Sequence, residues 1–361
     1  MFNTYAQMPY YHRVLKLSQR QIEYVNKFNN NPKIKFEKIS CLNCSSANKK
    51  ILFTNEEHGF DQNTVLCKNC GLIYLNPRMT KNSSDFFYNS DLFCNIYAFC
   101  VDSLPAPETS FKNEQVSYEQ VNSSFERKGR LVKSKTFYRY NYGKRPFHET
   151  INSLNLQYQS VCDIGAGDGS TLKTFQLAGK DVWGYEPSKL LCNLAKTKGV
   201  NLINGFIDDV KGEYDLVIMI HVFEHLLNPI DALKKLRKHI KRYLFIEVPV
   251  SINKLQTIKN VHNCYFSLNT LSQVVTKCGF KRIYYEYKLS RFNDTISALF
   301  EKSDKTEIYY YNYAHEVKKY TRIYYKYYIK YFIKRVLRKI LRKINPNFEK
   351  KIVNIIDLRG S

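Results

Sequence analysis

The chain has 361 residues and a formal net charge of +24, with 44% apolar and 24% charged residues. This is enough chain for one large core with one or two small modules. No uninterrupted apolar run approaches the ~18 residues a membrane helix needs, and residues 1–20 carry polar side chains throughout, without the apolar centre of a secretory leader. A cytoplasmic protein is therefore expected, and its ten cysteines are read as ligands or core residues rather than disulfides.

Residues 1–35 read as an N-terminal extension. Residues 36–80 hold Cys41-x-x-Cys44 and Cys67-x-x-Cys70, two pairs with 22 residues between them. Two such knuckles bring four soft thiolates into a tetrahedron, a donor set that Zn²⁺ accepts and that leaves no coordination position open. The reading is a zinc ribbon with a structural metal; coincidental cysteines and a redox pair are the rivals. Cys94, Cys100, Cys162, Cys192, Cys264 and Cys278 have no ligand spacing and are read as small core residues. From 81 to 146 the chain carries aromatic clusters around Tyr88 and Tyr97, a polar run over 113–122 and a charged stretch over 125–130. A connector this long does not stay structureless. Two or three helices forming a lid or substrate wall are predicted, with a mobile loop at 113–122.

Residues 147–302 alternate strand and helix patterns. V-C-D-I-G-A-G-D-G-S over 161–170 reads as a buried strand containing Asp163, running into a loop with Gly165, Gly167 and Gly169 at every second position. Glycine permits φ > 0 and leaves no Cβ in the way, so the backbone can approach a ligand closely. A ligand at such a turn sits at the carboxyl end of a parallel strand. The spacing is not the dinucleotide fingerprint G-x-G-x-x-G. D-V-W-G-Y-E over 181–186 is a second strand, ending in Glu186, 17 residues after Gly169. An acid there is placed to accept from both hydroxyls of a ribose; a solvated strand-end carboxylate is the plain alternative. L-V-I-M-I over 216–220 is apolar throughout, as for a central strand buried on both faces. It leads into H-V-F-E-H-L-L-N-P over 221–229, and Y-L-F-I-E-V-P over 243–249 is a further strand. Helices are predicted over 187–198 and 229–240. The alternation implies an α/β fold with a doubly wound parallel sheet.

This series resembles class I S-adenosylmethionine (SAM)-dependent methyltransferases over 147–300, with the glycine loop as their motif I. The phrase D-L-V-I-M-I-H-V-F-E-H-L-x-N-P, with H-N-C-Y-F-S at 262–267 and C-G-F at 278–280, is similar to small-molecule and sugar methyltransferases. C-x-x-C-G-L-x-Y-L-N-P-R ahead of such a domain resembles the N-terminal module of sugar C-methyltransferases and their relatives in polysaccharide and antibiotic-sugar pathways. The resemblance implies a Rossmann-like sheet with SAM as cofactor. Gly165, Ala166, Gly167 and Gly169 would line the methionine part with Asp163 nearby, Glu186 would hold the ribose, Phe206 and Ile207 would lie along the adenine, and His221 would sit beside the sulfonium. Glu224 and His225 match the pair that serves those enzymes in proton abstraction. One feature departs from the pattern. The sugar C-methyltransferases carry a further large C-terminal domain, whereas Phe280 is followed here by 81 residues of different composition. O- and N-methylation therefore stay open beside C-methylation.

Methyl transfer from a sulfonium needs alignment, and removal of a proton if the acceptor is a hydroxyl. Histidine is a suitable base, and the carboxylate beside it can orient it or bind substrate. A glutamate favoured by a helix N-terminus and a divalent metal held by Glu224 and His225 are the alternatives. H-x-x-E-H over 221–225 also matches a metalloprotease motif, but that motif requires a helix, and here it directly follows a buried strand pattern.

The last segment, 303–361, is basic. Residues 317–343 hold eleven Lys or Arg and no Asp or Glu. Ile333, Val336, Leu337, Ile340, Leu341 and Ile344 fall at helical spacing, and Pro346 ends the stripe. A basic amphipathic helix is predicted, either packed on protein or laid peripherally on the anionic inner membrane surface; nucleic acid is a weaker rival. The positive charge suits an anionic small-molecule substrate such as a nucleotide-sugar or glycan precursor. The expected function is SAM-dependent methylation of a sugar. The alternatives are a non-catalytic SAM-binding scaffold of a glycan assembly complex, or a methyltransferase acting on another small molecule or on nucleic acid.

Overall fold

A computed structural model describes residues 17–55, 58–97, 150–250, 259–288 and 295–304. The stretch 98–149, with the predicted 113–122 loop and 125–130 charges, lies outside the described residues, as does the basic tail from 305 onward.

Helix α1 (Gln19–Asn29) starts at a reciprocal cap: Gln21 N donates to Ser18 Oγ at 3.2 Å and Ser18 N donates to Gln21 Oε1 at 3.0 Å. Strands β1 (Phe36–Glu37), β2 (Lys49–Asn55), β3 (Asp61–Cys67), β4 (Ile73–Leu75) and β5 (Arg78–Met79) build the N-terminal module. Helices α2 (Lys81–Asn89), capped by Thr80, and α3 (Leu92–Tyr97) follow. The larger domain then runs β6 (Ser160–Ile164), α4 (Ser170–Leu177), β7 (Asp181–Glu186), α5 (Lys189–Thr197), β8 (Ile203–Asn204), β9 (Tyr214–Ile220), α6 (Pro229–Leu236), β10 (Ile240–Pro249), β11 (Cys264–Tyr265), α7 (Leu268–Thr276), β12 (Phe280–Lys288) and β13 (Thr295–Lys302). Ser188, Asn228 with Pro229 at the first helical position, and Ser267 start α5, α6 and α7 by side-chain capping.

The large sheet has the order β12-β13-β10-β9-β6-β7-β8. Strands β6, β7 and β8 step outward to one edge, and the chain then returns to place β9 and β10 on the other side of β6. This reversal opens a crevice beyond the carboxyl ends of β6 and β9, the place where open α/β sheets bind ligands. Leu216, Val217, Ile218 and Met219 of β9 are fully buried, as a central strand covered on both faces requires. The sheet is not wholly parallel, as the alternation implied: β13 runs antiparallel to both β10 and β12. Residues 289–294 are too few to carry the crossover that a parallel neighbour needs, so β12 and β13 pair as a hairpin.

The N-terminal module is built into this domain rather than hung beside it. Strand β11 adds to β4, with Cys264 opposite Tyr74, and completes a four-stranded sheet β11-β4-β3-β2. Asn43 Nδ2 donates to Gln273 Oε1 on α7 at 2.7 Å, and Lys277 Nζ donates to Asn43 Oδ1 at 2.8 Å. One apolar core runs from Cys41, Cys67 and Tyr74 through Phe223 and Phe266 to Phe280. Cys162, Cys264 and Cys278 are buried within it. Among the described residues no helix is long and apolar enough to cross a membrane.

Asp215 fixes the start of the two central strands. Its Oδ2 accepts from Gln159 N at 2.9 Å and from Ser160 N and Ser160 Oγ at 2.8 Å each. Partial burial raises its pKa, but these bonds and nearby Lys241 outweigh burial and hold it at about 2. Asp215→Ala is expected to cost about 1.5–3 kcal/mol at neutral pH, the scale for hydrogen bonds to a charged group. A depressed folded-state pKa gives stability that is present above the unfolded value of ~3.9 and lost as pH falls through the folded one. Urea unfolding should therefore show the gap between wild type and variant closing between about pH 5 and about pH 2; a gap independent of pH would reject the clamp.

Candidate active site

The loop after β6 has left-handed backbone at Gly165, Gly167 and Gly169, with φ of 71°, 57° and 71°. A Cβ on Gly165 would lie 2.4 Å from Val222 Cγ2 in the loop after β9, and one on Gly169 would lie 3.0 Å from Ala195 Cβ on α5. These two glycines let the loop pack closely. Gly167 differs: a Cβ there would meet nothing within 4 Å, so this part of the loop offers bare backbone to an open side. The loop is braced from within. Gly165 N and Ala166 N donate to Tyr185 O at 2.8 and 3.1 Å, and Gly167 N donates to Glu186 Oε2 at 2.9 Å. Lys198 Nζ donates to Asp168 Oδ2 at 2.6 Å.

Glu186 ends β7 and is 6% exposed. Its Oε1 accepts from Ser188 N at 2.9 Å. Burial raises its pKa, opposed by the N–H groups of Ser188 and Gly167. These two bonds use about half of a carboxylate's roughly four acceptor positions, so capacity remains for ribose hydroxyls. Gly205 N donates to Glu186 O at 3.2 Å, which sets the turn Ile207–Asp209 beside it. There Phe206 is exposed and Ile207 packs against the core, a ledge suited to a flat base. Ala166 is buried in the loop. Asp163, on β6 and 3% exposed, has an Oδ1 with no hydrogen-bond partner among the described residues. Burial, and then the charge of Glu186, push its carboxyl well above the usual carboxylate range. Buried polar atoms without partners are rare. An open glycine, a ribose-competent carboxylate and an orphan acceptor together fit SAM.

His221 follows β9 with φ of 55°, a conformation uncommon outside glycine. Backbone of this kind costs about 1–3 kcal/mol and clusters at functional sites. It is held by His221 N, which donates to Glu247 O at 2.9 Å. Its Nδ1 lies 3.3 Å from Glu224 Oε1 and its Nε2 lies 3.9 Å from Glu247 Oε1. Glu224 and His225 occupy a 3₁₀ turn, Phe223–His225, and α6 begins only at Pro229. The helix-dipole reading of Glu224 therefore does not apply. Glu224 is 2% exposed, and its Oε2 has no partner among the described residues.

His225 Nδ1 lies 3.0 Å from Val261 O and 3.0 Å from Tyr88 Oη. A carbonyl only accepts, so Nδ1 carries the proton and Nε2 keeps its lone pair, 3.9 Å from Glu224 Oε1. Burial pushes the His225 pKa below the ordinary histidine value, opposed in part by Glu224 and the Val261 carbonyl. The N-terminal module supports this wall. Asn263 Nδ2 donates to His225 O at 2.8 Å, and Leu75 N donates to Asn263 O at 3.2 Å. Tyr88, Glu247, Val261, His262 and Asn263 were given no role by sequence reasoning. For His262 and Asn263 the motif at 262–267 was visible without a function; for Tyr88 only its aromatic cluster was.

The four knuckle sulfurs converge. Cys41 Sγ lies 3.4 Å from Cys70 Sγ, Cys44 Sγ lies 3.5 Å from Cys67 Sγ, and all four lie within 4.8 Å of one another. These separations exceed the ~2.05 Å of a disulfide. They approach the ~3.8 Å that tetrahedral Zn–S bonds of about 2.3 Å demand. The donor set fits zinc.

Comparison with known proteins agrees with this geometry. A methyltransferase-domain family matches residues 125–285, which include the glycine loop, Glu186 and the Glu224–His225 turn. Magnesium protoporphyrin IX methyltransferase from Synechocystis, with bound SAM, is similar at 17% identity over 61% of this chain and 95% of its own, with a TM-score of 0.41. A SAM-dependent methyltransferase from Listeria monocytogenes is similar at 15% identity over 45% of this chain and 100% of its own, with a TM-score of 0.39. The plantazolicin methyltransferase, with SAH, is similar at 16% identity over 51% and 90%, with a TM-score of 0.39. At these values the structural likenesses carry no argument. No curated protein matches the chain. Its central region is a methyltransferase domain, and the enzyme is a methyltransferase.

Proposed function

We propose that the enzyme moves the methyl group of SAM onto a sugar, nucleotide-linked or part of a glycan precursor, with His225 as the base and Glu224 as the carboxylate that stabilises the imidazolium formed when it takes the proton. The observation that carries this is the 3.0 Å approach of His225 Nδ1 to the Val261 carbonyl. The Nδ1–H is taken by that carbonyl, so Nε2 faces Glu224 as a free acceptor beyond the carboxyl end of the central strand. When bound, SAM supplies a methyl carbon already activated on a sulfonium. The protein has only to align the acceptor and take its proton. The loop around Gly167 and the Glu186 carboxylate hold the donor side in this reading. His221 stands between the two halves, Tyr88 and the Val261 carbonyl keep the His225 ring in place, and Asn263 holds its backbone.

The sugar acceptor is supported by the likeness of the knuckle module and of H-V-F-E-H to sugar methyltransferases. The net charge of +24 suits an anionic nucleotide carrier. The test is SAM-dependent turnover against a panel of nucleotide-sugars, with product mass and methyl position determined. Methylation of other small molecules but of no sugar would replace the acceptor and leave the enzyme class standing.

In the same reading Cys41, Cys44, Cys67 and Cys70 hold one structural Zn²⁺. Metal analysis combined with thiolate spectroscopy should find one thiolate-bound zinc per chain, lost in Cys67→Ser plus Cys70→Ser. Because Leu75 and Cys264 tie the module to the wall beside His225, loss of zinc should also lower the melting temperature of the whole protein. Thiolate-bound zinc retained in full in the double variant would reject the site.

A further inference from the structure

We propose that Glu224, His225 and His262 form a second metal site, which takes a divalent transition cation such as Zn²⁺ and, when filled, blocks methyl transfer. The three residues each offer one ligand atom, and these atoms lie within 4.8 Å of one another. Two imidazoles and one carboxylate are the donor set of open transition-metal sites, whereas Mg²⁺ and Ca²⁺ prefer oxygen alone.

Three features mark the group as built for a cation rather than merely crowded. Glu224 is 2% exposed and His262 is 6% exposed, while His225 keeps about a fifth of its side chain open, so a cation can enter at that edge. The Oε2 atom of Glu224 is buried and lacks a partner among the described residues. A buried acceptor left in this state is costly, and a cation satisfies it. The surrounding contacts also orient the donors. The Val261 carbonyl takes the Nδ1–H of His225, which fixes the tautomer that presents Nε2 to a metal. His221 Nδ1 approaches Glu224 Oε1 at 3.3 Å, which leaves Oε2 as the unengaged oxygen. Carbonyl and side-chain partners of this kind accompany metal-bound histidines and carboxylates. The His225 and His262 rings meet edge to face with centroids 4.8 Å apart, so modest side-chain rotation brings both nitrogens to one ion.

The blocking effect rests on the base role proposed above; the binding does not. A metal on Nε2 of His225 uses the lone pair that would take the acceptor proton, so the filled site and the working base exclude each other.

The experiment uses the full-length protein with its knuckle site already filled with zinc, titrated with Co²⁺ by calorimetry and visible absorption, in the absence of acceptor. One further equivalent is expected. Its spectrum should lack the intense near-ultraviolet band of cobalt–thiolate, because no sulfur takes part. His262→Gln and Glu224→Gln should each weaken that equivalent by at least about tenfold, the scale of losses around metal ligands. Unchanged SAM affinity in both variants would show that they fold. No further equivalent, or one that persists undiminished in His262→Gln, would overturn the site. With an acceptor substrate identified, the Co²⁺ concentration giving half inhibition should rise at least about tenfold in His262→Gln; turnover that increases with Co²⁺ would overturn the blocking role. His225→Ala with undiminished turnover would count against the base alone, and the binding titration would still stand.

Discussion

Replacing His225 by alanine is expected to lower turnover by about 10²–10⁴-fold, the range for loss of a general base, with SAM affinity near normal. The separation of effects follows from position. His225 lies on the turn after β9, and its ring contacts are Tyr88, Val261, Glu224 and His262. None of these belongs to the glycine loop or to Glu186. The backbone of the turn is held independently of the ring, by His225 N donating to Val222 O at 2.9 Å and by Asn263 Nδ2 on His225 O. Truncation should therefore remove the imidazole without moving the loop. Single-turnover rates with the acceptor identified by the panel, set beside calorimetry with SAM, make the measurement. Turnover within a few-fold of wild type would mean that the proton leaves to water or to another group.

Gly167→Val should leave no measurable SAM binding by calorimetry. Two effects act together. The backbone at Gly167 has φ of 57°, which a β-branched residue tolerates poorly. The added side chain would also enter the open space that the loop keeps beside it. Gly179 provides the control. It too is left-handed, with φ of 75°, and a Cβ there also meets nothing within 4 Å, but it follows α4 at the end remote from the loop. Gly179→Ala should cost some stability and keep SAM affinity. Equal affinity in Gly167→Val and wild type would remove the loop from the cofactor site.

The elements nearest the cofactor were legible because their determinants are local. Alternate glycines at 165, 167 and 169 state a backbone requirement within five positions. The unbroken apolar run at 216–220 states burial on both faces. The carboxylate that closes D-V-W-G-Y-E falls at the end of β7 because the strand pattern ends there. The helix starts near 188 and 229 are likewise short-range chemistry, at Ser188 and at Asn228 with Pro229. The reversed strand was not legible. The pattern of 295–302 reads the same in either direction, and the short link 289–294 speaks only once β12 is known to be its neighbour.

What the sequence by itself determined, then, is the run of strands, the glycine turn, the acid at 186 and the two cysteine pairs, since each depends on residues close together in the chain. Tertiary structure alone decided what surrounds His225. Tyr88 reaches it across 137 positions and Val261 across 36. Strand β11 left the larger domain to pair with β4, and in doing so carried Asn263 against both Leu75 and His225. No periodicity encodes such meetings. They follow from which apolar faces bury together, here the shared core from Cys41 to Phe280, and burial is non-directional. The backbone hydrogen bonds of β11 and the tautomer of one imidazole are settled only after that packing has chosen their neighbours.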